Sequence, residues 1–525
     1  MVVSTESSGI SPLVRKAFDH GVFVLSWALL VYAMYSRVDM VRFYKGRRAL
    51  HAVLFAAIPG VVARFLPWPT DDSYRLYEAF FYVFQAYALR CVSVFLAACQ
   101  ADEGAVKYEA RWCLYYHFIP HVDWTKRVTK REKRALRLGS YIYLDHNATT
   151  PLSDGVKRKL AGKGLDLWGN PGSAGSPFAE NAQRAIEACK TELAQLIRCD
   201  ESQLIITSGG TESNHTAIRT AFEGVTKGRC ITTAFEHPAI DEPLAAMKDV
   251  VEQIRVPVDH KTGQVDEKRF VEELHKGATL VSIMWANNEV GAVQNIGRLV
   301  ELTRKHCPAA MFHTDASQAV GKVPVYAGEV DFLTIAGHKF YAPKAIGALY
   351  VRSGSVTPLL YGGSQQGGRR AGTESAMLCV ALGKAAAEAR LNLTANMETM
   401  RHTRDLLWKG ISDRFPRAKR WSGTGPDTLP NTLSCCLDPE SPLARDLVVK
   451  CAELKLLFSA GAACHSGSMT PSKSLVALGI DEKLCLRTLR LTTGVSTTVA
   501  EIERAVAILG EAYDDLSRKE KKKKK

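Results

Sequence analysis

Three short segments place a lysine, a carboxylate and a glycine-rich turn where they could act on one ligand. Asp315 ends the apolar run MFHTD, His338 and Lys339 follow the run DFLTIA, and Gly210 and Thr211 open a helix after the run LIIT. The free amides of a first helical turn bind anions, a carboxylate stabilises a protonated ring nitrogen, and a lysine amine reacts with an aldehyde. The three features in this order predict a site for pyridoxal 5′-phosphate (PLP), although a glycine–threonine pair is also common as a plain helix cap.

Cys464 lies in an unusual setting for a cysteine. The surrounding segment, SAGAACHSGS at 459–468, contains nothing bulky that would pack the thiol into a core. Glycines and small residues give the backbone conformational freedom, and a thiolate is a strong nucleophile. A thiol in such a segment could approach a substrate and then leave it. A small loop cysteine without a role is the alternative interpretation.

Alternating strands and helices must position these side chains. Short β-branched runs predict buried strands, and the stretch 178–197 carries apolar residues on one helical face. The predicted strands are Leu204–Thr207, Thr279–Ala286, Met311–Asp315, Asp331–Ala336 and Ile346–Val351. Strands that alternate with helices form a mostly parallel sheet covered on both faces, and ligands bind where the carboxyl ends of such strands meet. The expected fold class is therefore α/β.

Pattern and composition divide the chain into four parts. We expect a hydrophobic and basic extension over 1–140 and a large PLP-binding domain over 141–391. A smaller α+β domain over 392–516 would carry the Cys464 loop, and a polybasic tail covers 517–525.

The excess of basic over acidic residues lies at the two ends of the chain. The formal net charge is +14, with 19 Lys/Arg against 11 Asp/Glu in 1–140 and seven against one in 518–525, so the body between them is neutral. A neutral body argues against a nucleic-acid partner and favours a small-molecule enzyme. The 13 cysteines are irregularly spaced and include no CxxC pair. We therefore expect neither a disulfide framework nor a metal site, and a reducing compartment.

Three apolar stretches in residues 21–99 leave two interpretations of the N-terminal part open. They are Gly21–Ser36, Leu50–Leu66 and Ala79–Cys99. None is an ideal membrane span, since the first has 16 uncharged residues where a full span needs about 20. A three-span anchor would place its basic flanks and the catalytic part in the cytosol, whereas a small helical domain would fit a soluble cytoplasmic protein. The terminal lysines resemble a signal that returns membrane proteins to the endoplasmic reticulum, or form a solvated tail.

Ten segments between about 141 and 516 resemble one enzyme family. They are YLDHNATTPL, WGNPGSAGSPFAENAQRAIEACKTELAQLI, TSGGTESNHTAI, EHPAI, WANNEVGAVQNI, HTDASQAVGKVPV, AGHKFYAPKAIGALYVR, GGRRAGTES, GAACHSGSMTPSKSL and LRLTTGVSTT. Together they are similar to the cysteine desulfurase and selenocysteine lyase family of the class V aminotransferase superfamily, with GAACHS and LRLTTGVSTT more similar to selenocysteine lyases. The resemblance implies a fold-type I PLP-dependent transferase that forms a homodimer.

The resemblance also implies a role for each matching residue. Lys339 matches the lysine that binds PLP covalently, Cys464 matches the catalytic thiol, and His237 matches the imidazole that stacks on the PLP ring and moves protons. The implied PLP contacts are Gly210, Thr211, His237, Asp315, Gln318, His338, Lys339 and Thr373, the last supplied by the partner subunit. Asn288 and Arg490 match substrate contacts, and the planar guanidinium of Arg490 suits the substrate carboxylate.

These matches imply an enzyme that acts on a small amino acid. The first hypothesis is a selenocysteine lyase that removes selenium from L-selenocysteine, or sulfur from L-cysteine, and leaves L-alanine. The second is a cysteine desulfurase that supplies persulfide sulfur for iron–sulfur clusters or tRNA thiolation, with a sulfur or selenium acceptor protein as partner. The third is a non-catalytic membrane scaffold on the same fold, which the presence of Lys339, Asp315, Cys464 and Arg490 disfavours.

Overall fold

The computed structural model describes residues 141–328, 330–465 and 468–523. Its strands are β1 Ile142–Tyr143, β2 Leu204–Thr207, β3 Gly228–Thr233, β4 Val251–Val256, β5 Leu280–Ser282, β6 Met311–Asp315, β7 Phe332–Ala336, β8 Gly347–Val351, β9 Lys419–Arg420, β10 Thr432–Cys436, β11 Leu456–Leu457, β12 Ser459–Ala460, β13 Ala462–His465, β14 Ser468–Pro471 and β15 Thr488–Thr492. Its helices are α1 Asp154–Ala161, α2 Pro177–Ile197, α3 Gly210–Ala221, α4 Pro238–Ala246, α5 Glu267–Leu274, α6 Ile296–His306, α7 Ala376–Arg414, α8 Ala444–Glu453, α9 Lys473–Ala477, α10 Glu482–Cys485 and α11 Val499–Lys523.

A seven-stranded sheet in the order β2-β8-β7-β6-β5-β3-β4 is the larger of the two main sheets. The pairs β3–β4, β3–β5, β5–β6 and β6–β7 are parallel, whereas β8 is antiparallel to both of its neighbours. Successive side chains of a strand point to opposite faces, so Leu204 and Ile206 join the core beneath α2 and α7, while Ile205 packs with Ala217 of α3. The predicted mostly parallel sheet, covered on both faces, is thus present.

A second, antiparallel sheet in the order β12-β15-β10-β9 has its own core. Leu433 and Leu491 of this sheet pack with Ile502 and Leu509 of α11. The 39-residue helix α7 contributes to both cores, through Leu382 near its start and through Leu407 and Ile411 near its end. The predicted domain boundary at 391–392 therefore falls inside a continuous helix, and it stays a prediction.

Strands β13 and β14 pair as an antiparallel hairpin in which the Cα atom of Cys464 lies opposite that of Met469. The backbone of Cys464 thus belongs to β13, while its side chain lies outside the described part of the structure.

Between residues 141 and 523, as far as the structure describes them, no helix is long and apolar enough to cross a membrane. The predicted extension over 1–140, with its apolar stretches in 21–99, lies outside the described residues, as does the end of the polybasic tail.

Candidate active site

One cavity of about 350 Å³ opens at the edge of the large sheet where β6 and β7 end. Parallel strands bring their carboxyl ends to the same edge, so Asp315 at the end of β6 and Lys339 just after β7 meet there. The predicted residues that line the cavity are Gly210, Thr211, His237, Asn288, Asp315, Gln318, His338, Lys339 and Arg490. The structure therefore gathers nine predicted residues from six separate motifs around one space.

Lys339 points its amine at two backbone carbonyl oxygens. Its Nζ atom donates to the oxygen of Asn147 at 2.9 Å and to that of Ala148 at 2.8 Å. Burial, and then the positive charge of Arg490, lowers the pKa of Lys339 to about 8. A substantial fraction of the amine is therefore neutral near physiological pH, as a nucleophile and proton carrier requires.

Asp315 is a buried carboxylate with both oxygens in use. Asn214 Nδ2 donates to its Oδ2 atom at 2.8 Å, and the backbone amide of Ser317 donates to its Oδ1 atom at 2.9 Å. These two bonds fix the carboxylate in the cavity wall, where it can pair with a protonated ring nitrogen.

The start of α3 forms a cradle for an anion. Gly209 has a φ of 145°, which an L side chain rarely adopts, and no side chain caps the helix. A Cβ atom on Gly210 would lie 3.1 Å from Ser317 Oγ and 3.4 Å from Ala336 Cβ. The glycines thus let the backbone amides of the first turn face the cavity, beside the Thr211 hydroxyl, and amides in this position bind phosphate.

The two histidines of the cavity are neutral groups. Burial, and then the charge of Lys339, lowers the pKa of His338 to about 4, and its Nδ1 atom lies 3.1 Å from Thr149 Oγ1. His237 caps α4, its Nδ1 atom accepting from the amide of Ala239 at 3.0 Å, and desolvation lowers its pKa below the usual value. Because Nδ1 accepts, the proton of the neutral His237 ring is on Nε2.

Arg490 on β15 brings a guanidinium to the cavity. Its Nη2 atom lies 2.8 Å from Asp145 Oδ1 and its Nη1 atom 3.5 Å from the oxygen of Asn288, while its buried Nε atom has no hydrogen-bond partner among the described residues. Donors therefore remain for the carboxylate of a substrate.

Thr373 and Cys464 are the two predicted residues that remain. Thr373 is exposed and does not line the cavity. The Cys464 side chain lies outside the described residues, so its role stays a prediction.

Several polar residues in or beside the site were not predicted from the sequence. Asp145 and Asn147 lie in the segment YLDHNATTPL, Asn214 in TSGGTESNHTAI and Lys322 in HTDASQAVGKVPV. A polar residue inside a motif was the only signal, because nothing in the chain order shows that Asp145 meets Arg490.

Comparison with known proteins agrees with this geometry. The family model described as aminotransferase class-V matches residues 142–505. The chain belongs to the class-V aminotransferase family. It is 35% identical to the cysteine desulfurase IscS of Dictyoglomus turgidum over 71% of this chain and 95% of that protein, and 34% identical to the selenocysteine lyase of Xenopus laevis over 73% and 98%.

Solved structures support the same assignment. A NifS-like protein matches with a TM-score of 0.64 and 29% identity over 71% of this chain and 98% of that one. The NifS-like protein of Rickettsia africae matches with a TM-score of 0.63 and 28% identity over 71% and 99%. The predicted fold class is confirmed, and the chain is a PLP-dependent enzyme of the class-V family.

The cavity fits PLP on its own chemistry. Lys339 offers an amine with a lowered pKa, and Asp315 offers a fixed carboxylate for the ring nitrogen. The open start of α3 offers amides for the phosphate, and a cavity of this volume lies in the range that small ligands occupy. Gln318 is a further candidate ring contact, since it lines the same space.

Proposed function

We propose that this enzyme removes sulfur or selenium from L-cysteine or L-selenocysteine and leaves L-alanine. The observation that supports the proposal is the convergence of Lys339, Asp315, His237 and Arg490 on one cavity. A guanidinium with unused donors, placed across from a reactive amine, suits an α-amino acid, whose carboxylate and amine lie on the same carbon. Relatives named as cysteine desulfurases and as a selenocysteine lyase fit the same reaction.

Bound PLP supplies an electron-withdrawing ring that weakens the bonds at the α-carbon of an amino acid. Asp315 keeps the proton on the ring nitrogen, and the open start of α3 holds the phosphate. Arg490 binds the substrate carboxylate, which fixes the α-carbon near Lys339. The Lys339 amine then takes the proton from the α-carbon, and His237 offers a proton through Nε2 to the same cavity.

Cys464 completes the proposed reaction with cysteine. Its thiolate attacks the sulfur atom of the substrate, so that a sulfur–sulfur bond forms while the substrate's carbon–sulfur bond breaks. The carbon keeps the electron pair and takes up a proton, which gives L-alanine and a persulfide on Cys464. An acceptor protein would then take the sulfur from the persulfide.

The first experiment separates an enzyme from a non-catalytic scaffold. Purified protein should show the visible absorbance of PLP bound to lysine, and Lys339→Ala should lose it. Protein that stays colourless when supplied with PLP would contradict the proposal. An Lys344→Ala variant, altered a few residues further along the same loop, is the matched control and should keep the absorbance.

Turnover of L-selenocysteine and L-cysteine, measured side by side, shows which of the two substrates the enzyme prefers. Our first candidate is a selenocysteine lyase, because of the segments GAACHS and LRLTTGVSTT. The second is a cysteine desulfurase, which the names of several relatives favour. Faster release of alanine from L-selenocysteine supports the first candidate, while a persulfide on Cys464 after treatment with L-cysteine supports the second.

Location and assembly complete the proposal. We propose a homodimer in which Thr373 contacts the phosphate in the partner's site, with the catalytic part in the cytosol. An anchor in the endoplasmic reticulum or another membrane is proposed from residues 21–99 and the terminal lysines alone. Carbonate extraction tests it, since release of the full chain from membranes would contradict an integral anchor.

A further inference from the structure

Asp145 joins two parts of the active site through its two carboxylate oxygens. Its Oδ1 atom pairs with Arg490 Nη2 at 2.8 Å, and its Oδ2 atom accepts from Ser459 Oγ at 2.8 Å. Ser459 and Arg490 are themselves opposite each other on the neighbouring strands β12 and β15. One carboxylate thus holds the predicted substrate clamp and the first residue of the segment that leads to Cys464.

The backbone around Asp145 makes this carboxylate a fixed point. The backbone carbonyl oxygen of Asp145 accepts from the Tyr143 hydroxyl and the Ala148 amide, both at 3.0 Å, and from the Thr149 amide at 3.4 Å. Burial, and then the charge of Asp145, raises the pKa of Tyr143 to about 12, so the hydroxyl remains a donor. A bridge to Thr492 of β15 adds a further constraint.

We propose that Asp145 is a positioning residue that prepares Arg490 for the carboxylate of the substrate, and that Ser459 supports it. This inference rests on the proposed function in one respect, which is that Arg490 binds the substrate carboxylate. A guanidinium has five N–H donors. Asp145 and the backbone oxygen of Asn288 accept one each, and Arg490 lines the cavity, so the guanidinium keeps donors for a substrate carboxylate.

Two effects of Asp145 on a substrate carboxylate oppose each other. Its negative charge repels the substrate carboxylate. Its ion pair with Arg490, however, already restricts the rotamers of that long side chain, so less conformational entropy is lost when the substrate binds. The contacts of Asp145 favour the second effect, because its two oxygens are already paired with Arg490 Nη2 and Ser459 Oγ, each at 2.8 Å, before a substrate binds. Without Asp145, the guanidinium loses the ion pair that holds its position.

The test measures amino-acid binding to the PLP-loaded enzyme by the change in cofactor absorbance, with L-alanine and with ethylamine, which lacks the carboxylate. In Asp145→Asn we expect alanine to bind about tenfold more weakly, the usual effect of losing a charged hydrogen bond, with ethylamine unchanged. Turnover of cysteine should show the same rise in KM with kcat within about twofold. Ser459→Ala should weaken alanine binding about threefold, and the double variant should be no weaker than Asp145→Asn, because Ser459 acts through Asp145.

Other outcomes overturn the proposal. Tighter binding of alanine by Asp145→Asn would show that charge repulsion dominates. An equal loss of affinity for alanine and for ethylamine would show general damage to the site. Additive losses of affinity in the double variant would show that Ser459 does not act through Asp145. Glu192→Gln is the matched control, since Glu192 Oε2 pairs with Arg390 Nη2 at 3.1 Å between α2 and α7, and it should bind alanine normally.

Binding and turnover of the wild-type enzyme distinguish failure of the proposed function from failure of the role of Asp145. A wild-type enzyme that binds alanine in preference to ethylamine, yet turns over neither cysteine nor selenocysteine, would defeat the proposed function while the variants still test Asp145. A wild-type enzyme without that preference would overturn the role of Arg490 and this inference with it.

Discussion

Lys322 Nζ donates to Gln318 twice, to its backbone oxygen at 3.2 Å and to its side-chain Oε1 atom at 2.8 Å. Because a backbone carbonyl can only accept, the Asn147 oxygen fixes the orientation of the Gln318 amide: Nε2 donates to that oxygen at 2.9 Å, and Oε1 faces Lys322. Burial, and then the charges of Lys339 and Arg490, holds the pKa of Lys322 well below its usual value.

The first prediction concerns the pH dependence that this buried lysine imposes. In the pH range between its lowered pKa and its usual value, the unfolded chain binds more protons at this position than the folded chain. The free energy of unfolding of the wild type therefore rises with pH there, by at most about 1.4 kcal/mol per pH unit. Lys322→Met lacks this contribution, so its stability relative to the wild type should fall as the pH rises from 7 to 10.

Urea denaturation followed by tryptophan fluorescence measures the difference at each pH. Lys409→Met, which alters an exposed lysine of α7, should give a difference that does not change with pH. A constant difference for Lys322→Met would contradict the prediction.

Glu236 should make the free energy of unfolding depend on pH in the direction opposite to that of Lys322. Its carboxyl is fully buried, Oε1 accepts from Thr233 Oγ1 at 2.9 Å and from the Met284 amide at 3.0 Å, and burial raises its pKa to about 8. Between about pH 4.5 and 8 the folded chain binds more protons here, so wild-type stability falls as the pH rises, by at most about 1.4 kcal/mol per unit.

Glu236→Gln keeps both accepted hydrogen bonds and cannot ionise. We expect it to exceed the wild type in free energy of unfolding by about 2 kcal/mol or more at pH 8, with a smaller gain at pH 5. Denaturation at the two pH values measures the gain, and Glu242→Gln, which alters an exposed residue of the following helix α4, should show none. A gain that is larger at pH 5 would refute the assignment.

Arg490→Lys should separate substrate binding from chemistry. An ammonium group cannot hold both Asp145 and a bidentate carboxylate, so KM for the amino acid should rise about 10- to 100-fold, while kcat changes much less. Arg487→Lys, three residues earlier and bonded to the backbone oxygen of Ser441, should leave KM unchanged. Steady-state kinetics of alanine release decide the matter, and an unaltered KM in Arg490→Lys would remove Arg490 from the substrate site.

Gly494→Ala should destabilise the fold beside the active site. A Cβ atom at this position would overlap the His146 ring, which has Tyr143 and Tyr341 as neighbours at centroid distances of 5.0 and 6.2 Å. His146 is buried and has little room to move, so we expect a loss of about 3 kcal/mol. Gly425→Ala, where a Cβ atom meets nothing within 4 Å, should keep the melting temperature of the wild type.

Mixed dimers test the proposed role of Thr373. If Thr373 completes the partner's site, a dimer of Lys339→Ala and Thr373→Val subunits contains one intact site, and activity at limiting PLP should exceed that of either parent. A mixture of Lys339→Ala and Asp315→Ala contains no intact site, because both residues belong to the same cavity. Equal activity of the two mixtures would show that Thr373 does not act across subunits.

The sequence predicted the strands that carry the chemistry better than the strands between them. The bounds Leu204–Thr207 and Met311–Asp315 agree with β2 and β6. The run Thr279–Ala286 forms a regular strand only over Leu280–Ser282. The side chain of Asn287 accepts from the amides of Glu289 and Val290 and turns the chain soon afterwards, and hydrophobic periodicity carries no information on such a turn.

Some residues of the site were likewise predictable from the sequence, and others were not. Side chains at the ends of buried strands, such as Asp315 and Lys339, were predicted because their type and position both point to chemistry. Asn147 was missed, because it contributes the backbone oxygen that accepts from both Lys339 and Gln318, and every residue has such an oxygen. Asp145 was missed because its partner Arg490 is 345 residues away in the chain.

The long helix α7 has a consequence for how the two cores are coupled. With 39 residues it spans about 58 Å at 1.5 Å per residue, and its two ends supply side chains to different cores. Between Ala389 and Met400 none of its residues is buried, so the middle of the helix is a largely solvent-exposed link between the two cores. A glycine or proline placed in this link would therefore loosen the coupling between the two cores without removing a buried side chain from either.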